Sequence, residues 1–226
     1  MDGQLARQVW EVVPRPKGKT VLGTKTIFKQ KIGKDGRIEK YNRRFVAQGF
    51  RQIKGIHYDE SSSPTPSRAS IRMVLGIAAM KDWELRQLDV DMAYLEANLP
   101  EDYRKSCDQV GRLQKAVYGL VNAGLLWSKK FSAELTARGF EQCQADPCVF
   151  GRVLRGKVVV NIVVYVDDLL VASDTKRDEE QAINDLRSCF SIKDLGDAGF
   201  YLGCHITRDR DAGTLKFDQR HYVRTM

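Results

Sequence analysis

The stretch that constrains this chain most is Val158 to Ala172, an apolar, β-branched run broken near its middle by two adjacent acids, Asp167 and Asp168. Val158–Val166 and Leu169–Ala172 read as strands, because such side chains pack well on a pleated, half-buried surface. The acids then fall at the turn of a hairpin. Aspartate is common in turns, so a solvated structural turn is the plain alternative. Two neighbouring carboxylates repel each other, however, and apolar flanks raise their pKa unless a cation compensates. A divalent metal supplies that compensation, and oxygen ligands suit Mg²⁺.

Asp89 has the same character, standing near the end of the extended run Leu85–Val90, whose Leu85, Leu88 and Val90 are apolar. If the two elements are neighbours in one sheet, Asp89 and Asp167 can hold two ions about 3.5 to 4 Å apart, the spacing of a two-metal phosphoryl-transfer site. Such chemistry needs positioning and charge neutralisation, and no protein nucleophile. The remaining reactive residues agree. Cys107, Cys143, Cys148, Cys189 and Cys204 form no C-x-x-C pair, and His57, His205 and His221 lie far from zinc-ligand spacing.

Elsewhere the pattern is mixed. Thr24–Ile32 and Ile38–Ala47 are extended runs around Lys34-Asp35-Gly36-Arg37, and an Asp-Gly pair between such runs signals a hairpin. Ile71, Val74, Leu75 and Ala78 have helical spacing to about Asp82, with Ser70 as the expected N-cap. Trp127, Phe131 and Leu135 predict a second helix stopped near Gly139. A third is predicted after Thr175, with Asp178 and Glu179 at its positive start and Ile183, Leu186 and Phe190 buried. Phe200–Ile206 and Thr214–Phe217 suggest a last hairpin, and Pro64 and Pro66 mark a connection between lobes. The expected class is α+β, helices against a mostly antiparallel sheet.

Charge is segregated along the chain. Residues 1–54 hold 14 Lys and Arg against 4 Asp and Glu, whereas the other 172 residues hold 23 against 25. A basic end of this kind reads either as a surface for phosphates or as a solubilising face. Val158–Val166 is interrupted by Asn161 and too short to span a bilayer, and the N-terminus lacks an apolar signal region. The expectation is an intracellular, reduced protein, neither secreted nor in a membrane.

At this point the motifs converge on one resemblance. Tyr165-Val166-Asp167-Asp168 resembles the Y-x-D-D motif of reverse transcriptases, and Gln87 to Leu95 is similar to the Ty1/copia motif Q-(M/L)-D-V-K-T-A-F-L. Val117-Tyr118-Gly119-Leu120 with Trp127, Tyr41 to Phe50, Lys193 to Gly196 with Tyr201 to Gly203, and Gln219 with Tyr222 match further blocks in the family's order. The resemblance implies a right-hand polymerase with an antiparallel sheet packed on helices, fingers and palm present, thumb and ribonuclease H missing. Residues 1–66 would be fingers with the basic hairpin, 67–199 palm with part of the fingers, and 200–226 the primer-grip hairpin and start of the thumb.

The resemblance also implies roles. Asp89, Asp167 and Asp168 would be the catalytic and metal-binding residues, holding two Mg²⁺ ions. Lys29, Arg43, Arg44, Tyr94, Tyr118 and Gly119 would meet the incoming nucleotide, with Tyr94 under the sugar excluding a ribose 2′-hydroxyl. Tyr201, Leu202 and Gly203 would contact the primer. Implied partners are an RNA or DNA template with primer, deoxynucleoside triphosphates and the remainder of a Pol polyprotein, in a cytoplasmic retrotransposon particle or the nucleus. The activity implied is RNA-directed DNA polymerase.

Several family positions differ here. The lysine two residues after the first aspartate is Asp91, the lysine and glutamine after Y-G-L are Val121 and Asn122, and a later arginine is Leu125. Thr26 replaces a tryptophan, Glu60-Ser61-Ser62-Ser63-Pro64 replaces E-T-F-x-P, and the segment between Leu99 and Val110 is short. These changes read as a degenerate copy with weak or absent activity. The alternatives are a non-catalytic nucleic-acid-binding remnant of such an element, an RNA-templated RNA polymerase, and a structural protein whose acids end strands.

Overall fold

The computed structural model describes residues 9–15, 21–32, 38–97 and 110–220. In chain order its strands are β1 (Trp10–Val13), β2 (Thr24–Ile32), β3 (Ile38–Ala47), β4 (Glu84–Val90), β5 (Val110–Leu113), β6 (Glu141–Gln142), β7 (Val149–Leu154), β8 (Lys157–Tyr165), β9 (Asp168–Ser173), β10 (Ile192–Asp197), β11 (Phe200–Tyr201), β12 (Cys204–Asp209) and β13 (Thr214–Asp218). Its helices are α1 (Arg68–Met80), α2 (Ala123–Ala137) and α3 (Lys176–Arg187). The chain falls into two compact units, Met1–Ser63 with Tyr94–Lys129 and Pro64–Ala93 with Lys130–Met226. Among the described residues no helix is long and apolar enough to cross a membrane.

In the first unit β1 pairs antiparallel with β5, and Trp10 sets its ring 5.3 Å from that of Phe45. β2 and β3 form a two-stranded antiparallel ribbon with the ends that the extended runs predict. The Lys34–Arg37 turn and the segment Leu99–Gln109 lie outside the described residues. Phe28 and Tyr41 are exposed, because a two-stranded ribbon has no second layer to cover it. Its base is tied down by Gln48 N donating to Gly23 O at 2.8 Å and Ala47 N donating to Tyr118 O at 2.8 Å.

The second unit is built on a six-stranded sheet in the order β10-β4-β9-β8-β7-β6, every pair antiparallel. Cross-strand partners share a face, so the register sorts the side chains. One face carries Leu85 beside Ala172, then Gln87, Leu170 and Val163, then Asp89, Asp168 and Tyr165. Ile71, Val74, Leu75 and Ala78 of α1 close the apolar part of that face together with Tyr201 and Ile206. Burying each large aliphatic side chain stabilises by about 1.5 to 3 kcal/mol. The acids stand in the row beyond this core. The opposite face presents Leu88, Leu169 and Val164, then Val171, Ile162 and Phe150. Phe131 of α2 covers it, 5.8 Å from the Phe150 ring and stacked 5.3 Å from Phe190.

α1 starts earlier than its spacing predicts. Its N-cap is Ser67, whose side chain accepts from Ser70 N at 3.0 Å, while the Ser70 hydroxyl donates to buried Asp146 at 2.6 Å. Asp146 also accepts from Ser67 N at 2.8 Å and Cys148 N at 3.0 Å. Burial works to raise its pKa, but hydrogen bonds from Ser70, Ser67 and Cys148 hold it below the ordinary value. At the other end Arg208 donates at 3.0 Å to Ala78 O, which also accepts from Trp83 N, placing a cation where helix carbonyls lack intrahelical partners.

The other helices follow the sequence closely. α2 stops before Gly139, which sits at φ 79, and α3 is capped by Thr175 and buries Ile183 and Leu186. The last hairpin differs from expectation. Leu202 at φ 47 and Gly203 at φ 80 form a turn that splits Phe200–Ile206 into β11 and β12, and β12 continues to Asp209.

Candidate active site

The acids are set by a tight turn and by strand register. Tyr165 pairs with Asp168 across β8 and β9, leaving Val166 and Asp167 as the two turn residues. Val166 has φ 55, whereas Asp167 is outside the left-handed region. A turn with only its first central residue at positive φ is the pattern in which glycine is usual. A β-branched residue there carries strain of about 1 to 3 kcal/mol, which persists only when the surroundings hold it. Part of that hold is Val90 N, which donates to Asp167 O at 2.8 Å. The same strand places Asp89 directly opposite Asp168 and, on its other side, Asp89 opposite Lys193.

The electrostatics follow from this crowding. Burial, then the Asp167 charge, then Asp91 push the Asp89 carboxyl above its ordinary pKa, with Lys193 acting in the opposite direction. Asp168 is pushed up to about 6 by burial, then by Asp167 and Asp89. Among the described residues, no three acidic, histidine or cysteine side chains converge into a ready-made ligand cluster. Register brings Asp89, Asp167 and Asp168 close against their mutual repulsion, without closing them into a cage. Their hard oxygen donors and their excess negative charge fit a hard divalent cation.

The residues expected at the nucleotide lie in the first unit. The side chains of Lys29 and Arg43 are outside the described residues, although their backbones belong to the β2–β3 ribbon. The Arg44 guanidinium sits over the Tyr118 ring, 5.5 Å from its centroid. Tyr118 in turn lies 4.9 Å from Tyr94, the planes tilted by 59°. Gly119 at φ 92 has no room for a side chain. A Cβ there would fall 2.2 Å from the Ala47 carbonyl, so the close approach this glycine permits is to β3.

Of the residues expected at the primer, Tyr201 needs correction. Its side chain is fully buried, and its hydroxyl donates to Val163 O at 3.4 Å and to Asp168 O at 3.5 Å. It supports the carboxylate turn from within the core and has no surface to offer a strand. Leu202 and Gly203 remain at the turn, with Leu202 partly exposed. Lys193 is a neighbour of the site that the sequence does not single out: its block resembles the family's, but only the β10–β4 register puts it beside Asp89.

With that geometry in view, the comparisons with known proteins are decisive about family. A model of the family described as reverse transcriptase (RNA-dependent DNA polymerase) matches residues 7–226, and the chain belongs to that family. It is 33% identical to the retrovirus-related Pol polyprotein from transposon RE1 of Arabidopsis thaliana, over 99% of this chain and 16% of the relative. It is 34% identical to the retrovirus-related Pol polyprotein from transposon TNT 1-94 of Nicotiana tabacum, over 99% of this chain and 18% of the relative. The transposon Ty1-BL Gag-Pol polyprotein of Saccharomyces cerevisiae is 27% identical over 77% of this chain and 10% of the relative. The chain thus spans less than a fifth of each of these relatives.

Proposed function

We propose that this chain is the polymerase portion of a retrotransposon Pol polyprotein and transfers deoxynucleotides to a primer end on an RNA or DNA template. The observation that supports it is the register that sets Asp89 opposite Asp168 while Val90 grips the Asp167 carbonyl. Asp89 and Asp167, with Asp168 beside them, would hold two Mg²⁺ ions, which when bound supply activation of the primer 3′-hydroxyl and neutralisation of the triphosphate. The strained Val166 turn keeps Asp167 at the tip of the hairpin. Lys193 offsets part of the negative field at Asp89.

In this reading the second unit is the palm, and the first unit, with its basic ribbon, is the fingers. Lys29, Arg43 and Arg44 meet the triphosphate, Arg44 being steadied on Tyr118. Tyr94, packed on Tyr118, forms the wall that rejects a 2′-hydroxyl.

A primer-extension assay with Mg²⁺ on an RNA template tests the proposal. The expected outcome is deoxynucleotide incorporation that is lost in Asp167→Asn, with ribonucleotides used poorly. The second reading, a nucleic-acid-binding remnant, is favoured by Asp91, which adds to the repulsion on Asp89. Salt-sensitive binding without incorporation, unchanged by Asp167→Asn, would establish the remnant instead. If Asp91 only weakens the enzyme, Asp91→Lys raises the incorporation rate.

A further inference from the structure

In the first unit the turn that carries Tyr118 lies against the segment just after β3, and three contacts hold it there. Tyr118 O accepts from Ala47 N at 2.8 Å. Gly49 sits so close to Gly119 that a Cβ on it would fall 2.0 Å from the Gly119 carbonyl oxygen. The third contact is made by a side chain. Gln52 Oε1 accepts from Val121 N at 2.7 Å, joining residues 69 apart in the chain. Gln52 ends the single helical turn Gly49–Arg51, its own N–H donating to Gly49 O at 2.8 Å, so its backbone is fixed where the side chain reaches across.

Packing alone does not explain a glutamine at this place. Gln52 is buried, 8% exposed, and among the described residues its Nε2 group has no acceptor. A buried amide donor without a partner is worse for stability than an apolar group of the same shape, so methionine would suit the position better if filling space were its only task. What methionine lacks is a carbonyl oxygen for Val121 N. The same contact orients the amide, since its NH₂ group turned toward Val121 would set donor against donor. Because the bond is made to the backbone, it does not depend on the side chain, and Val121 stands where the family has a lysine.

The turn that Gln52 holds carries a ring with two neighbours. The Arg44 guanidinium lies over Tyr118, 5.5 Å from the ring centroid, and the Tyr94 ring is 4.9 Å away. A shift of the Tyr118 backbone therefore moves the support of a cation and of an aromatic wall together. We propose that Gln52 is a positioning residue for the incoming nucleotide. By holding Val121 N it fixes the Tyr118 ring, and through that ring both the arginine that meets the triphosphate and the tyrosine that rejects a 2′-hydroxyl. The inference rests on the polymerase reading above.

The test compares Gln52→Met, which fills the space and removes the acceptor, with Gln52→Glu, which keeps an acceptor for Val121 N. Both are made in the 226-residue chain and assayed by single-nucleotide primer extension on an RNA template with Mg²⁺. Loss of one hydrogen bond should raise KM for the deoxynucleotide about 3- to 10-fold in Gln52→Met, with kcat little changed. The preference for deoxy- over ribonucleotide should fall by a similar factor and return in Gln52→Glu. Both nucleotides carry the same triphosphate, so the charge that glutamate introduces cancels from this ratio. Amide hydrogen exchange reads the contact without catalysis: Val121 N should exchange about 3- to 10-fold faster in Gln52→Met and keep its protection in Gln52→Glu. Thermal melting checks that both variants fold. An unchanged KM and preference in Gln52→Met, a preference that Gln52→Glu does not restore, or a KM change that comes only with a fall in Tm would overturn the assignment. A wild type that neither binds nor incorporates deoxynucleotide sinks the polymerase reading and this inference with it, whereas normal incorporation by Gln52→Met with Val121 still protected sinks the role of Gln52 alone.

Discussion

Replacing Asp168 by asparagine should stabilise the metal-free protein. At neutral pH the wild type carries an ionised Asp168 whose pKa is pushed up to about 6 from the ordinary carboxylate value of 3.8, and a tenfold change in protonation corresponds to about 1.4 kcal/mol. The charged form therefore costs roughly 3 kcal/mol in the fold. Asparagine removes the repulsion from Asp167 and Asp89 but keeps part of the burial cost, and the site is partly open to solvent. A gain of about 1 to 2 kcal/mol is left, or a rise in Tm of roughly 2 to 8 °C for a chain of this size.

The sign of the pH dependence follows from the same shift. Because the folded pKa lies above the unfolded one, the Asp168 contribution is most favourable below the unfolded value and is lost as pH rises through about 6. Asp168→Asn should flatten that part of the pH profile. The assay is thermal melting followed by circular dichroism, in EDTA and in millimolar Mg²⁺. Magnesium should raise the wild-type Tm more than that of the variant, since it relieves a repulsion the variant lacks. A variant that melts below the wild type in EDTA, or gains equally from Mg²⁺, would refute the reasoning.

Three further outcomes are expected. Val166→Gly relieves the positive φ while adding unfolded-state freedom, so stability should change by less than about 1 kcal/mol; a loss above 2 kcal/mol in urea unfolding would show that Val166 packing outweighs strain. Asp146→Ala strands the Ser67, Ser70 and Cys148 donors and should cost about 2 to 4 kcal/mol. Because the folded Asp146 pKa is depressed, its contribution is present above the unfolded value and fades as pH falls through the folded one, and acid titration of both proteins checks this. Gly119→Ala drives a Cβ onto the Ala47 carbonyl at φ 92 and should destabilise the first unit by on the order of 2 kcal/mol, read by proteolysis of the β2–β3 ribbon.

Local features proved legible wherever neighbours in the chain decide them. The β2 and β3 runs end where their extended pattern ends, α2 stops before Gly139, and α3 buries Ile183 and Leu186 as its spacing selects, while Phe190 is buried beyond its end. Errors arose where a distant group intervened. Ser70 was read as the cap of α1, but its hydroxyl is claimed by Asp146, 76 residues away, so the cap moves to Ser67. Tyr201, which the resemblance implies at the primer, lies with its ring in the core, beside the positive-φ turn at Leu202 and Gly203.

The amino-acid order alone settled that two acids cap an apolar hairpin, that a third stands near the end of another strand, and that the family's motifs follow one another in sequence. Alternation of side chains and turn chemistry act over a few residues, so they can be read from a string. Which strand lies beside which was decided only in three dimensions. β4 enters between β10 and β9, with Leu85 on one face and Leu88 and Val90 on the other buried, and that insertion is what sets Asp89 between Asp168 and Lys193.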